Sequence, residues 1–183
     1  MAITSIVSLS LIAQANYHSQ VVDIKLNGTS NLHDWEMKAV VGTSDASIVL
    51  VNGKVTSLSK MNFSLPVKNL KSGHDAMDKN TYKALNTTAN PDIHFVLTSA
   101  TVITTGGNTY KLNCVGKMTI AGKTNQTELV ATGIYDPADK SFTVTGVKKM
   151  KMTDYNVKPP KALLGTIKTG NDISISYNIQ FKK

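Results

Sequence analysis

The chain has 183 residues, a formal net charge of +8, and only 17% charged side chains, below the roughly 25% of an average soluble domain. That length suits one domain with a sizeable core and is marginal for two. All 20 basic residues are lysines. Without the bidentate fork of arginine, the composition speaks against nucleic acid as a partner. It leaves a weak attraction to anionic lipid headgroups, or simply a soluble surface built from lysine.

The run from Ala2 to Ala13 is uncharged and mostly apolar. It is too short to span a bilayer and suits the core of a signal peptide. Ala13-Gln14-Ala15 follows as an A-x-A cleavage pattern. The expected organisation is a signal peptide over residues 1–15 and one domain over 16–183, a soluble protein of the periplasm or a secreted one. No lysine precedes the apolar run, so a start codon further upstream, or a buried first strand instead of a signal, are the alternatives.

From there the pattern has period two. Val22, Ile24 and Leu26 alternate with polar residues, as do Trp35, Met37, Ala39 and Val41. The segment from Lys38 to Val51 reads as one long bent strand or two. Met61, Phe63, Leu65 and Val67 form the next row, then Ile93, Phe95 and Leu97. Tyr110, Leu112, Cys114, Met118 and Ile120 follow, and a further strand spans Thr127 to Tyr135. Phe142, Val144, Met150 and Met152 make one more row, and Ile173, Ile175, Tyr177, Ile179 and Phe181 the last. Alternation of this kind marks half-buried strands. Asn52-Gly53, Gly106-Gly107-Asn108, Ala121-Gly122-Lys123 and Asp136 to Asp139 read as hairpin turns between them.

Two segments break the rhythm. From His74 to Leu85, Met77, Thr81, Ala84 and Leu85 fall at helical spacing, with Asp75 and Asp78 suited to a first turn. Pro159 to Gly165 reads as one helical turn or a tight loop. The expected fold is all-β: a single antiparallel up-and-down barrel of about eight strands. The short helix and the helical-turn loop sit at its ends. The polar outer faces exclude a transmembrane barrel, whose outside is apolar. Periodicity alone does not separate a barrel from a stacked sandwich.

Four segments in order resemble the YceI-like family of bacterial exported lipid-binding proteins. They are Gly28 to Trp35 (GTSNLHDW); Val67 through Lys71-Ser72-Gly73 and Asp78 to Leu85 to Asn90-Pro91-Asp92-Ile93-His94-Phe95; Gly116 to Thr124 (GKMTIAGKT); and Met150 to Pro160, continued by Leu163 to Gly170. The resemblance implies a lipocalin-like barrel that holds a polyisoprenoid, such as a quinone tail, and needs no other cofactor. His33-Asp34-Trp35-Glu36-Met37 departs from the Val-x-Gly-Phe-like residues that follow the histidine in many relatives. That departure bears on the identity of the ligand more than on the fold.

The expected lining of such a cavity is the inward rows. On the first strands it comprises Trp35, Met37, Met61, Phe63, Leu65, Phe95 and Leu97. Beyond them it takes in Leu112, Met118, Ile120, Phe142, Met150 and Met152, then Leu163, Leu164, Ile175 and Tyr177. Methionine adapts to flexible ligands, although the same rows serve equally to fill a core. No catalytic site and no metal site is expected. His33-Asp34 and His74-Asp75 are sequence neighbours, which on a strand point to opposite faces and make no dyad. Cys114, in an inward row, reads as a buried inert thiol. Asp154 reads as a strand-end residue.

Overall fold

Alternation of the kind described above leaves each strand with one face to bury, and here the strands bury it against one another by closing a sheet. The structure is a computed structural model and describes residues 12–162 and 165–183. Leu163, Leu164 and most of the expected signal segment lie outside the described residues. The strands are β1 (Ile12–Ser30), β2 (Trp35–Ala39), β3 (Thr43–Val51), β4 (Lys54–Pro66) and β5 (Asp92–Gly106). After them come β6 (Thr109–Ile120), β7 (Lys123–Asp136), β8 (Ser141–Lys151), β9 (Lys161–Ala162) and β10 (Ile167–Lys182). β2 and β3 both pair antiparallel with β1, β3 to β8 pair antiparallel in chain order, β8 pairs with β10, and β10 returns to pair with β1 from Lys182↔His18 to Thr169↔Ser30. The result is a closed eight-stranded barrel.

The segment read as one bent strand or two is two. β3 pairs with the first half of β1 and β2 with its second half, along the same edge. The A-x-A residues Ala13 to Ala15 belong to β1 in the full chain, opposite Leu50 to Ile48. Tight turns join the hairpins: Asn52-Gly53 has φ of 50° and 75°, and Ala121-Gly122 has 50° and 79°. Positive φ at both central residues is the geometry whose twist matches a two-residue hairpin.

Bulges shift which residues face inward. In β1, Ala15 and Tyr17 are buried, then Val22 and Ile24, with a register shift between Ser19 and Val21. An extra residue flips every later side chain to the other face. A bulge at Leu97/Ser99 does the same in β5.

One end of the barrel is solid. Tyr17, Ile48, Tyr110, Leu112, Phe142 and Phe181 are all fully buried there. The Tyr110 and Phe142 rings lie 6.4 Å apart between centroids, and the Tyr110 hydroxyl accepts the Val55 N–H at 3.1 Å. Burial, with Tyr135 beside it, pushes the Tyr17 hydroxyl up to about 12. The other end is capped by α1 (Asp75–Ala84), the single α-helix among the described residues. No helix of these residues is long and apolar enough to cross a membrane. The Pro159 to Gly165 segment contributes β9, which pairs with Ile167 and Lys168.

Candidate ligand cavity

The helix is tied to the segment that precedes it and to β2. Asp78, buried at 6% exposure, accepts the Ser72 amide at 2.8 Å and the Ser72 hydroxyl at 2.7 Å, with the Lys71 ammonium at 3.6 Å. Burial alone would raise its carboxyl; the Ser72 hydrogen bonds and the Lys71 charge together hold it below the usual carboxylate range. The single Tyr82 hydroxyl proton is shared between the Lys68 and Leu70 carbonyls, and Lys71 and Lys38 exchange backbone hydrogen bonds. Thr81 donates to the sulfur of Met37 at 3.4 Å.

Under this helix lies a cavity of about 490 Å³. Its ceiling is the inner face of α1, with Met77, Thr81, Ala84 and Leu85; its walls include Trp35, Met37, Met150, Met152 and Tyr155. Leu26 and Ile120 line both this mouth pocket and a deeper chamber of about 110 Å³. Met61, Phe63, Leu65, Phe95, Met118, Ile175 and Tyr177 surround the deeper chamber. The mouth pocket alone falls within the 300–1,000 Å³ range of small-molecule sites.

Most of the expected lining residues are therefore brought together. Leu112 and Phe142 are not among them, because they pack into the solid end. Leu97 sits at the bulge, half-buried against the core, and lines neither chamber. The reading of Leu163 and Leu164 lies outside the described residues. Missing from the expected list were Ile24, Ile93, Leu129 and Ile179 of the deeper chamber, which continue inward rows, and the ceiling of α1. The helical spacing of Met77, Thr81, Ala84 and Leu85 carried that ceiling.

Also missing was Lys148. The inward row of β8 runs Phe142, Val144, Gly146, Lys148, Met150. The stem of Lys148 lines the deeper chamber and its ammonium donates to the Glu128 carbonyl at 3.0 Å. Beside it, the Tyr177 ring lies over Gly146, where a Cβ would fall on the Tyr177 hydroxyl. Burial, and then the neighbouring Cys114, push that hydroxyl up to about 12.

His33, His74, Lys151 and Lys161 also line the mouth pocket. His33 contacts the Asp34 backbone carbonyl at 2.7 Å, and His74 is the residue before α1. His18 pairs with Asp45 at 2.6 Å, both exposed. Among the described residues no three His, Cys, Asp or Glu side chains gather as a metal site. Cys114 is buried, which pushes its thiol up to about 11. Asp154 falls just beyond the end of β8, in a 3-10 turn over Met152–Tyr155, and accepts the Lys151 N–H at 2.9 Å.

The YceI-like domain model matches residues 13–181, nearly the whole chain. The chain belongs to the YceI-like family. No curated protein sequence matches it. Among solved structures, BcnA from Burkholderia cenocepacia superposes with a TM-score of 0.66 at 17% identity, over 87% of this chain and 95% of that one. A polyisoprenoid binding domain from Saccharophagus degradans, implicated in plant cell wall breakdown, gives 0.68 at 10% identity over 91% and 97%. The YceI protein of Campylobacter jejuni gives 0.54 at 13% identity over 69% and 74%. These likenesses establish a shared fold. Within this YceI-like chain the family segments gather at the open end. They form the β1–β2 hairpin, the approach to α1 with α1 itself, the β6–β7 hairpin, and the turn from β8 into β10. Asn31 shows why: it accepts the Lys168 N–H at 2.7 Å and donates to the Thr166 carbonyl at 2.9 Å, tying the first of these segments to the last.

Proposed function

We propose that this protein is a non-catalytic, exported carrier that holds one polyisoprenoid or similar apolar lipid inside the barrel. The observation that carries this reading is a pair of apolar spaces inside the barrel, the chamber of about 110 Å³ and the mouth pocket of about 490 Å³, with Leu26 and Ile120 bordering both. A barrel that served only as a structural or interaction module would have its mouth end filled like its solid end. Apolar transfer contributes about 0.8 kcal/mol per buried methylene, so a tail of ten or so carbons supplies ample gross affinity before ordering costs. Such binding requires no reacting group. Exposed Lys151 and Lys161 line the mouth pocket and suit weak contact with an anionic membrane surface.

Extraction of the purified protein with organic solvent, followed by mass spectrometry, tests the reading. A stoichiometric isoprenoid or other long-chain lipid is expected. Protein that yields no lipid and takes up none from vesicles overturns it. Export is tested separately by the mature N-terminus, expected at Asn16. A mature chain that retains Ile12 to Ala15, and with them their ladder to β3, overturns the expected cleavage site.

A further inference from the structure

The barrel wall is not hydrogen-bonded along its whole height between β7 and β8. Their ladder runs from Asp136↔Ser141 to Ala131↔Gly146 and stops. Both strands continue. β7 stays paired with β6 back to Lys123, and β8 stays paired with β10 on to Lys151. The two strands therefore part over residues 123–130 and 147–151. Across the upper part of the parting, the Thr127 and Tyr155 hydroxyls meet at 2.9 Å, and Asn125 donates to the Asp154 carbonyl at 2.7 Å. The parting is thus a window, with the Ala131–Gly146 pair at its base and the Tyr155 turn at its top. Outside it stand Val130 and Val147, at 57% and 56% exposure. Inside it lies the deeper chamber, which Leu129, Lys148 and Tyr177 line.

Side chains take the place of the missing ladder. Lys148 serves the Glu128 carbonyl, and the Tyr177 hydroxyl reaches the Val130 carbonyl at 3.4 Å. A carbonyl at a wall that water can reach does not need a lysine. An ammonium has three donors, and the Glu128 carbonyl takes one. No carboxylate of the described residues lies within ion-pair distance of Lys148. Lys148 is also the one lysine that lines the deeper chamber among the described residues.

We propose that the β7–β8 window is a subsite for the acidic head of a single-chain amphiphile, a carboxylate or a phosphate monoester. Lys148 is its counter-ion, and the tail runs through the deeper chamber into the mouth pocket. This assignment rests on the lipid-binding reading above and narrows its ligand class. The head forms a charge-assisted hydrogen bond with the ammonium in a partly dehydrated wall, where such bonds are stronger than neutral ones.

The test uses the full chain freed of lipid, with an apolar fluorescent dye displaced by hexadecanol, palmitate or hexadecyl phosphate. The wild type is expected to bind one or both acids about tenfold more tightly than the alcohol, and the tighter of the two identifies the head. Lys148→Met keeps the apolar stem and removes the charge. It is expected to abolish the preference, read within the variant as the ratio of acid to hexadecanol affinity. Lys149→Met, on the outer face of β8, is expected to retain it. An acid preference absent from the wild type, or surviving Lys148→Met, overturns the proposal. So does a preference that Lys161→Met at the mouth removes instead. Failure of all three probes, the alcohol included, to displace the dye counts against lipid binding itself. Alcohol binding without acid preference counts against the window alone.

Discussion

Two phenylalanines of the barrel interior divide it into a part that is packed and a part that is open, and truncating each in turn measures the division. Phe142 is 1% exposed, stands beside Tyr110, and covers Gly133, where a Cβ would fall on its ring. Its neighbours are fixed by the closed ladder of β7 and β8 on one side and β8 and β10 on the other. Phe142→Ala removes a ring whose space nothing can refill, a loss of about 3–5 kcal/mol. In a chain of this size each kcal/mol moves the melting temperature by roughly 2–4 °C, so a fall of about 6–20 °C is expected. Phe63 is half-buried and lines the deeper chamber. Part of its ring already faces empty space, so Phe63→Ala forfeits fewer contacts and is expected to cost about 2 kcal/mol or less in lipid-free protein. The assay is urea unfolding of both variants after solvent extraction, with dye binding as a second readout. Phe142→Ala should lose stability and keep dye affinity; Phe63→Ala should keep most stability and change dye affinity. Equal losses of stability, or a larger loss at Phe63, would refute the division of the barrel into a solid and an open end.

Three further outcomes are expected. The lowered Asp78 carboxyl supplies stability that is complete above the unfolded value near 3.9 and is lost as pH falls through the lower native value. The gap in melting temperature between wild type and Asp78→Asn should therefore be full at pH 7 and narrow below about pH 4; a gap that widens in acid contradicts the assignment. Cys114, its thiol pushed up to about 11 by burial, should resist a thiol reagent at pH 8 in the native protein and react at once in urea; rapid native labelling would show the strand to be open there. Gly146→Ala must displace the Tyr177 ring, at a cost of about 1–3 kcal/mol; calorimetry showing no loss would mean that the ring is not held over that glycine.

Strand identity, the hairpin turns and α1 are legible in the sequence because each rests on local chemistry. Val22, Ile24 and Leu26 alternate because one face of β1 is buried, and Asn52-Gly53 turns because both residues accept positive φ. Depth within the barrel is not legible, because alternation assigns a face but not a height. Leu112 and Met118 share the inward side of β6; one is sealed in the solid end and the other lines the chamber. The difference is set by residues far off in sequence, such as Tyr17 and Phe181 at one end and α1 at the other. The inward place of Lys148 follows from the row Phe142, Val144, Gly146. Gly146 and Lys148 both interrupt the apolar alternation there, and the value of Lys148 depends on where the β7–β8 ladder ends.

The pairing of β1 with β10 also dictates an order of assembly. All the other pairings of the wall join strands that are neighbours in the chain or nearly so, and these hairpins can form as soon as both arms exist. The closing pair joins residues from opposite ends of the sequence, and long-range pairings of this kind are reached late because the loop they close is large. Until β10 arrives, the molecule is a curled open sheet with β1 and β8 as bare edges, the arrangement most prone to pair with a second chain. Loss of β10 would restore both edges at once, so a truncation there is expected to aggregate rather than to yield a smaller barrel.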